Sequence, residues 1–478
     1  MLLHLQLQGE SVSLSKLSYS ILSLNPFTTE NAPLLKKIHL SYIDLSMFNV
    51  SSYFPSHLCS LSIHESHLPT TLDLHQYTQL KQLSIIHSMQ LRYVICPLTI
   101  TKIQLTDGHL KEFPLFTKDE YAITSMELQS LELTYHKITT IPTHCFQSMR
   151  HLIHLNISHN QLRTLPGKLF MYCSCLKTLS VQYNHLKYLP LRLPSTLTEF
   201  NCSHNLLTRL PVELPFFLKE LNCSYNQLHN LPSILPSYLM KLYCNHNCLE
   251  RLSSELPYHL TYLDCSNNHL ITSPRVYPGT LQYLNCSHNC LHFFNSRTLP
   301  LTLQFLYMQY NKIRHLHYLP PSLSFLNCSH NQLSSFPNQF PPHMIYFQCQ
   351  YNRLTTLPSQ IPLSMKRINC SHNRLLKLPY FQWDQHYIYR YHCQDNDALH
   401  IRYPPSLTLP QLYRFYRFLW FYYCEKYGRR LLYFLLRQHH RVYKKDIPRQ
   451  AFLKTRHPDQ VSRFIHKDHL SWKSVFSD

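Results

Sequence analysis

A cysteine, a histidine two residues later and an asparagine directly after it recur along the chain. "NCSHN" stands at 201–205, 285–289, 327–331 and 369–373, and "NCSYN" at 222–226. Thiol and imidazole are zinc ligands and, when paired, can act as nucleophile and base. With 17 Cys and 34 His in 478 residues, the raw material for either chemistry is present. The spacing argues against both. A metal site needs converging ligands such as paired CxxC, whereas each copy here supplies one thiol. If each copy is one strand, successive His lie two strands apart, roughly 10 Å. That is too far to share one zinc at about 2 Å. No Ser/His/Asp set arises from the repeated positions. The expectation is no catalytic residue, no metal and no cofactor. Cys202, Cys223, Cys244, Cys265, Cys286, Cys328, Cys349 and Cys370 then form a buried ladder of small apolar groups. Successive strand thiols lack the Cβ approach that disulfides need.

The elements that carry this ladder are visible in the period. The asparagine falls at 160, 184, 205, 226, 247, 268, 289, 311, 331, 352 and 373, at intervals of 20–24 residues. The frame is LxxLxCxxNxLxxLPxxLPxx, as in "LKELNCSYNQLHNLPSILPSY" at 218–238. Leu218, Leu221 and Cys223 face inward from a short strand that pairs in parallel with its neighbours about 4.8 Å away. Asn226 sits at the turn, where its amide can bond unpaired backbone of adjacent turns. Pro232 and Pro236 in the return favour extended or polyproline backbone over helix.

The frame resembles the short, proline-bearing class of leucine-rich repeats. That class is found in bacterial effectors delivered into host cells and in repeat proteins of large DNA viruses and protists. The resemblance covers about residues 125–379. It implies an α/β-type solenoid with short parallel strands on a concave face, extended convex returns and protein partners on the strand face.

Three regions follow. Residues 121–379 hold the regular repeats. Residues 1–120 hold weaker matches, such as "LSIHESHL" at 61–68 and "IQLTDGHL" at 103–110, and are degenerate repeats with an N-terminal cap or a separate small domain. Residues 380–478 change composition, with 17 Lys and Arg against 8 Asp and Glu. "LPQLYRFYRFLWFYYCEKY" and "RRLLYFLLRQHHRVYKK" read as two amphipathic helices parted by Gly428, which suits a helical C-terminal cap.

Composition narrows the function classes. Five Gly and the absence of GxGxxG or GxxxxGK[ST] argue against phosphate-cradling α/β enzymes. No unbroken apolar run reaches 18 residues and "MLLHLQLQGESVSLSKL" lacks a signal-peptide pattern, so neither a membrane span nor a leader is expected. Cysteine richness without a leader points to a reducing, cytoplasmic setting, with the cytoplasm of a host as the alternative. A net charge of +20 favours acidic partners.

The residue before each repeat Asn forms the candidate binding strip. It reads His159, Tyr183, His204, Tyr225, His246, Asn267, His288, Tyr310, His330, Tyr351, His372. His and Tyr alternate with one exception, so the underlying unit is two repeats, about 42 residues. By strand alternation, the Asn and Ser of "LNCSHN" also face the concave side. His and Tyr combine apolar area with polar tips and suit protein contacts. The leading expectation is a non-enzymatic protein-binding scaffold. An effector subfamily with such repeats joins them to a ubiquitin ligase whose nucleophile lies in a C-x-D motif. "HCQDND" offers Cys393 and Asp395 for that alternative. A second alternative is a polyanion binder acting through Arg429, Arg430, Arg437, Arg441, Lys444 and Lys445. These Cys393 and His-strip readings carry expectations about exposure. Cys393 lies outside the ladder and labels early, and the strip histidines titrate near their ordinary value.

Overall fold

We describe the chain from a computed structural model over residues 10–16, 34–50, 53–114, 116, 125–253, 255–377, 390–393 and 396. Two compact units divide it, Met1–Ser406 and Leu407–Asp478. The second unit lies outside the described residues, and with it the two expected helices and the basic segment 429–445.

Among the described residues, eighteen strands join one parallel sheet in chain order, with a separate two-stranded sheet formed by Thr71–Asp73 and Tyr93–Ile95. Each turn of chain adds one strand, and the apolar positions pair in register. Leu221 stands beside Leu242, Leu242 beside Leu263, and Leu263 beside Leu284. Within a three-residue strand only the central side chain is buried, as in Glu220–Asn222 and Tyr283–Asn285. Its neighbours point to the open face, as period-two geometry requires. Leu218, Leu221, Cys223 and Leu228 of one turn are all fully buried. Stacking turn on turn is therefore what builds the core, since no single turn can enclose its leucines.

The prolines set the returns. In "LPxxLPxxL" the carbonyl of the second proline accepts the N–H of the leucine three residues on, as in Pro215 with Leu218 (3.1 Å) and Pro236 with Leu239 (3.1 Å). That tight turn launches the next strand. Proline fixes φ at a value the turn needs and denies the return a helical hydrogen bond. Among the described residues the one complete helical segment is a single 3-10 turn, Ser296–Thr298.

The repeat asparagine stitches neighbouring turns. Asn268 Nδ2 donates to the carbonyls of Cys244 (3.0 Å), Cys265 (3.1 Å) and Ser266 (3.1 Å), and its Oδ1 accepts the Leu249 N–H (3.0 Å). Asn226, Asn247, Asn289 and Asn373 repeat the pattern. A planar group with two donors and one strong acceptor can satisfy two turns of buried backbone at once.

The sheet also extends beyond the regular frame. Upstream, Lys37–Ser41, Ser60–His64, Gln82–Ile86, Lys102–Thr106 and Ser130–Thr134 are five-residue strands of the same sheet. Here the asparagine position is held by other residues. His136 holds it in one turn and bonds the Leu105 carbonyl through Nε2 (3.1 Å). Its ring leaves no room for a side chain at position 108. A Cβ on Gly108 would lie 2.7 Å from His136 Cε1 and 2.9 Å from the Ser88 carbonyl oxygen. Downstream, Arg390–His392 pairs with Arg367–Asn369, so the sheet passes position 379, where the regular period stops.

Candidate binding face and the His/Tyr ladder

All eight ladder cysteines are buried. Several donate S–H to a strand carbonyl of the next turn, as Cys265 Sγ to Asn285 O (3.3 Å) and Cys328 Sγ to Gln348 O (3.4 Å). Burial pushes the Cys223 and Cys286 thiols up to about 12, and those of Cys202, Cys244, Cys265 and Cys349 well above the ordinary range. A thiol held protonated is neither nucleophile nor metal ligand. Among the described residues no group of three His, Cys, Asp or Glu is placed to hold a metal ion.

Cys393 corrects an expectation. It is 1% exposed and occupies the ladder position of one further turn. Asn396 completes that turn, donating to the carbonyls of Cys370 (3.1 Å) and Cys393 (2.9 Å) and accepting the Leu375 N–H (2.9 Å). "HCQDND" thus belongs to a further repeat, with Asp395 in the sequence position that His or Tyr fills elsewhere. It does not present an accessible nucleophile.

The strip residues form two stacked runs. Tyr135, His159, Tyr183, His204, Tyr225 and His246 stack in sequence, with ring centroids 3.9–4.2 Å apart. His288, Tyr310, His330, Tyr351 and His372 form a second run at 4.0–4.3 Å. Asn267 separates the two. Every one of these residues, Asn267 included, has φ between 51° and 58°. The strip therefore lies on a left-handed turn after the strand, not on the strand itself. That conformation costs a non-glycine residue roughly 1–2 kcal/mol. Stacked rings return about 0.5–1.5 kcal/mol per pair, and since each pair is shared by two rings the stack offsets part of the cost.

Two further expectations change. The serine of "LNCSHN" does not face the open side. Ser203, Ser266, Ser287 and Ser329 are 2–4% exposed. The preceding strand residue closes an Asx turn over them. Asn285 Oδ1 accepts both the backbone N–H (3.2 Å) and the hydroxyl (2.7 Å) of Ser287. This turn breaks the strand alternation one residue early. Four of the strip histidines also titrate lower than expected. Burial in the stack holds His159, His204, His246 and His330 below the ordinary imidazole value, and neighbouring histidines add to the effect at the last three. Asp264 opposes it at His246.

The open face itself carries residues that the repeat pattern did not single out. Strand side chains vary from turn to turn, so periodicity is silent about them. Between Tyr243 and Tyr346 they are largely aromatic. Tyr243, Tyr262, Tyr283, Tyr307, Phe325 and Tyr346 follow one another at centroid distances of 4.1–5.7 Å, and Phe305 borders Tyr283 at 6.2 Å. The Arg367 guanidinium lies over the Tyr346 ring at 5.4 Å. On the other side, Glu132, Glu199 and Glu220 line a depression of about 400 Å³ together with His154, Asn156 and Asn222. The simple signal that finds both regions is to read the two residues flanking each central strand leucine.

The fold and these surfaces can be set beside known proteins. Residues 126–186 match the leucine rich repeat family. No curated protein matches the chain at a significant level. Among solved structures, YopM of Yersinia enterocolitica is 26% identical, with a TM-score of 0.58 over 84% of this chain and 91% of that one. YopM of Yersinia pestis, described as a leucine-rich effector protein, is 28% identical, with a TM-score of 0.54 over 68% of this chain and 87% of that one. A leucine-rich-repeat protein of Leptospira interrogans shares the fold at 21% identity, with a TM-score of 0.55 over 77% of this chain and 91% of that one. Parallel register, one strand per turn and the asparagine stitching agree with these matches: the described part of the chain is a leucine-rich-repeat solenoid.

Proposed function

We propose that the protein is a non-enzymatic scaffold that docks a protein partner on the open face of its sheet. The observation that carries this reading is the division of labour within each turn. Leucine, cysteine and asparagine are spent on the core and its backbone. The residue before the central strand leucine is left over in each turn, and the residue after it, though it often closes the Asx turn over the serine, is also part-exposed; together they line up across many turns into one variable surface. Such a surface is rigid and pre-organised, which lowers the entropic cost of binding. The His/Tyr ladder borders it. In this reading His159, Tyr183, His204, Tyr225, His246, His288, Tyr310, His330, Tyr351 and His372 act first as a stiffening spine and second as one rim of the docking site.

The likeness to YopM is compatible with an effector-like role, in which the chain works inside a cell other than the one that made it. A cytoplasmic, reducing setting also belongs to this reading, because it keeps the thiol ladder reduced. Buried Cys393 weighs against the ligase alternative. The basic segment of the polyanion alternative lies outside the described residues. The test is partner retention by the full chain. Tyr283→Lys together with Phe325→Lys alters the open face without touching the core, so it should abolish retention and leave the fold intact. Retention equal to wild type would reject the open face as the docking site.

A further inference from the structure

We infer that the open face is built for a proline-rich, extended polypeptide segment that carries arginine or lysine at one end. This rests on the docking reading above and names the chemistry of its partner.

The first argument is the aromatic strip. Tyr243, Tyr262, Tyr283, Tyr307, Phe325 and Tyr346 give six successive strands each an aromatic on the open face. None of the six is fully buried, and Phe305 beside them is 38% exposed. Tyr262 and Tyr283 stack on each other at 4.1 Å and the other rings are tilted, so the row offers ring edges and the clefts between rings; polyproline helices dock in such aromatic-lined grooves, and the free peptide is already ordered.

The second argument is register. Strands repeat about every 4.8 Å, so two turns of the solenoid advance roughly 9.6 Å. A polyproline helix advances about 9.3 Å per three-residue turn. The ligand therefore offers the same face to every second strand with little drift. A β-strand ligand repeats at about 6.7 Å per two residues and falls out of step. Five intervals between the six aromatic strands span about 24 Å, the length of about eight polyproline residues.

The third argument is charge. Between Ser130 and Asn369 the strands carry Glu132, Glu199, Glu220 and Asp264 against Lys241 and Arg367. Lys241 pairs with Glu220 at 3.0 Å, and Asp264 is engaged by Ser266. Glu132 and Glu199 have no ion pair among the described residues and face the depression next to the aromatic strip. In a chain of net charge +20 this acidic end is local and out of character. It fits a cationic side chain, and Arg367 at the far end disfavours a second one there.

The test uses the full chain and a fluorescent decapeptide of sequence RRPLPPLPPL, followed by anisotropy. The expected result is saturable binding. Tyr283→Ala and Phe325→Ala each weaken it at least tenfold, and Glu199→Gln weakens it several-fold for the RR peptide but not for a QQ counterpart. An unchanged thermal unfolding midpoint shows that these variants keep their fold, because the altered side chains lie on the open face. Equal binding of a peptide with every proline replaced by serine overturns the polyproline inference. So does binding that Tyr283→Ala leaves unchanged, or no binding at all. If the decapeptide fails while Tyr283→Lys with Phe325→Lys still abolishes partner retention, this inference falls and the docking reading stands.

Discussion

Replacing Asn268 separates the stitching of the solenoid from its other stabilising contacts. In Asn268→Ala the Leu249 N–H loses its acceptor at 3.0 Å. The three carbonyls that Asn268 served each keep another donor. Cys244 O retains Asn247 Nδ2 (3.1 Å), Cys265 O retains Asn289 Nδ2 (3.0 Å), and Ser266 O retains the His246 N–H (3.0 Å). The cost is therefore dominated by one stranded buried donor, about 2–3 kcal/mol. Asn268→Asp keeps the acceptor for Leu249 but turns a carboxylate oxygen toward three carbonyls at 3.0–3.1 Å. That repulsion raises the carboxyl pKa above its unfolded value. Stability is then present at low pH and lost as pH rises through the raised value. At pH 7.5 the Asp variant should be less stable than the Ala variant, and the order should narrow or invert near pH 5. Urea unfolding gives the midpoints. Amide exchange at Leu249 and its neighbours shows whether the damage stays within adjoining turns, as a quasi-one-dimensional stack predicts. An Ala variant with the wild-type midpoint, or an Asp variant as stable as wild type at pH 7.5, would refute the stitching argument.

Other outcomes follow from the same geometry. Native alkylation should reach exposed Cys175 first, while Cys265, Cys328 and Cys393 react only after denaturation; early labelling of Cys393 would contradict its place in the ladder. Tyr225→Ala removes stacks with His204 and His246, both at 4.1 Å, while keeping the left-handed turn, and should cost about 1–3 kcal/mol. Tyr225→Asn should cost less, because Asn tolerates that conformation, as Asn267 does; an equal loss in both variants would show that the turn contributes nothing. His159, His204, His246 and His330 hold protons less well folded than unfolded, so the urea midpoint should be level above about pH 7.5 and fall as pH drops through about 6.5 and below. A midpoint that rises on acidification would refute the depressed values.

The solenoid was legible because its constraints repeat. Asn226, the leucines and the thiols recur at a fixed interval, and each has one physical job that few residue types can do. Cys393 escaped because Tyr391 replaces the central strand leucine before it and Asp395 precedes the asparagine in the sequence where His or Tyr does elsewhere. The burial of Ser203 and Ser287 escaped because strand alternation was carried one residue too far, through a turn whose positive φ the sequence does not announce. Tyr in that turn is the surprising choice. Stacked neighbours offset part of its cost, and that is a property of the assembled turns. The aromatic strip from Tyr243 to Tyr346 escaped for the opposite reason. Periodicity finds what every turn shares, while a binding face is written in what the turns do not share.

The central claim is that the open face of the sheet receives the partner. A photo-crosslinking amino acid placed at Tyr283 lies on that face, and one at Tyr258, which is 84% exposed on a return, lies off it. Illumination in cells should give a discrete protein adduct from position 283 and none from position 258. Adducts from 258 with none from 283 would contradict the account.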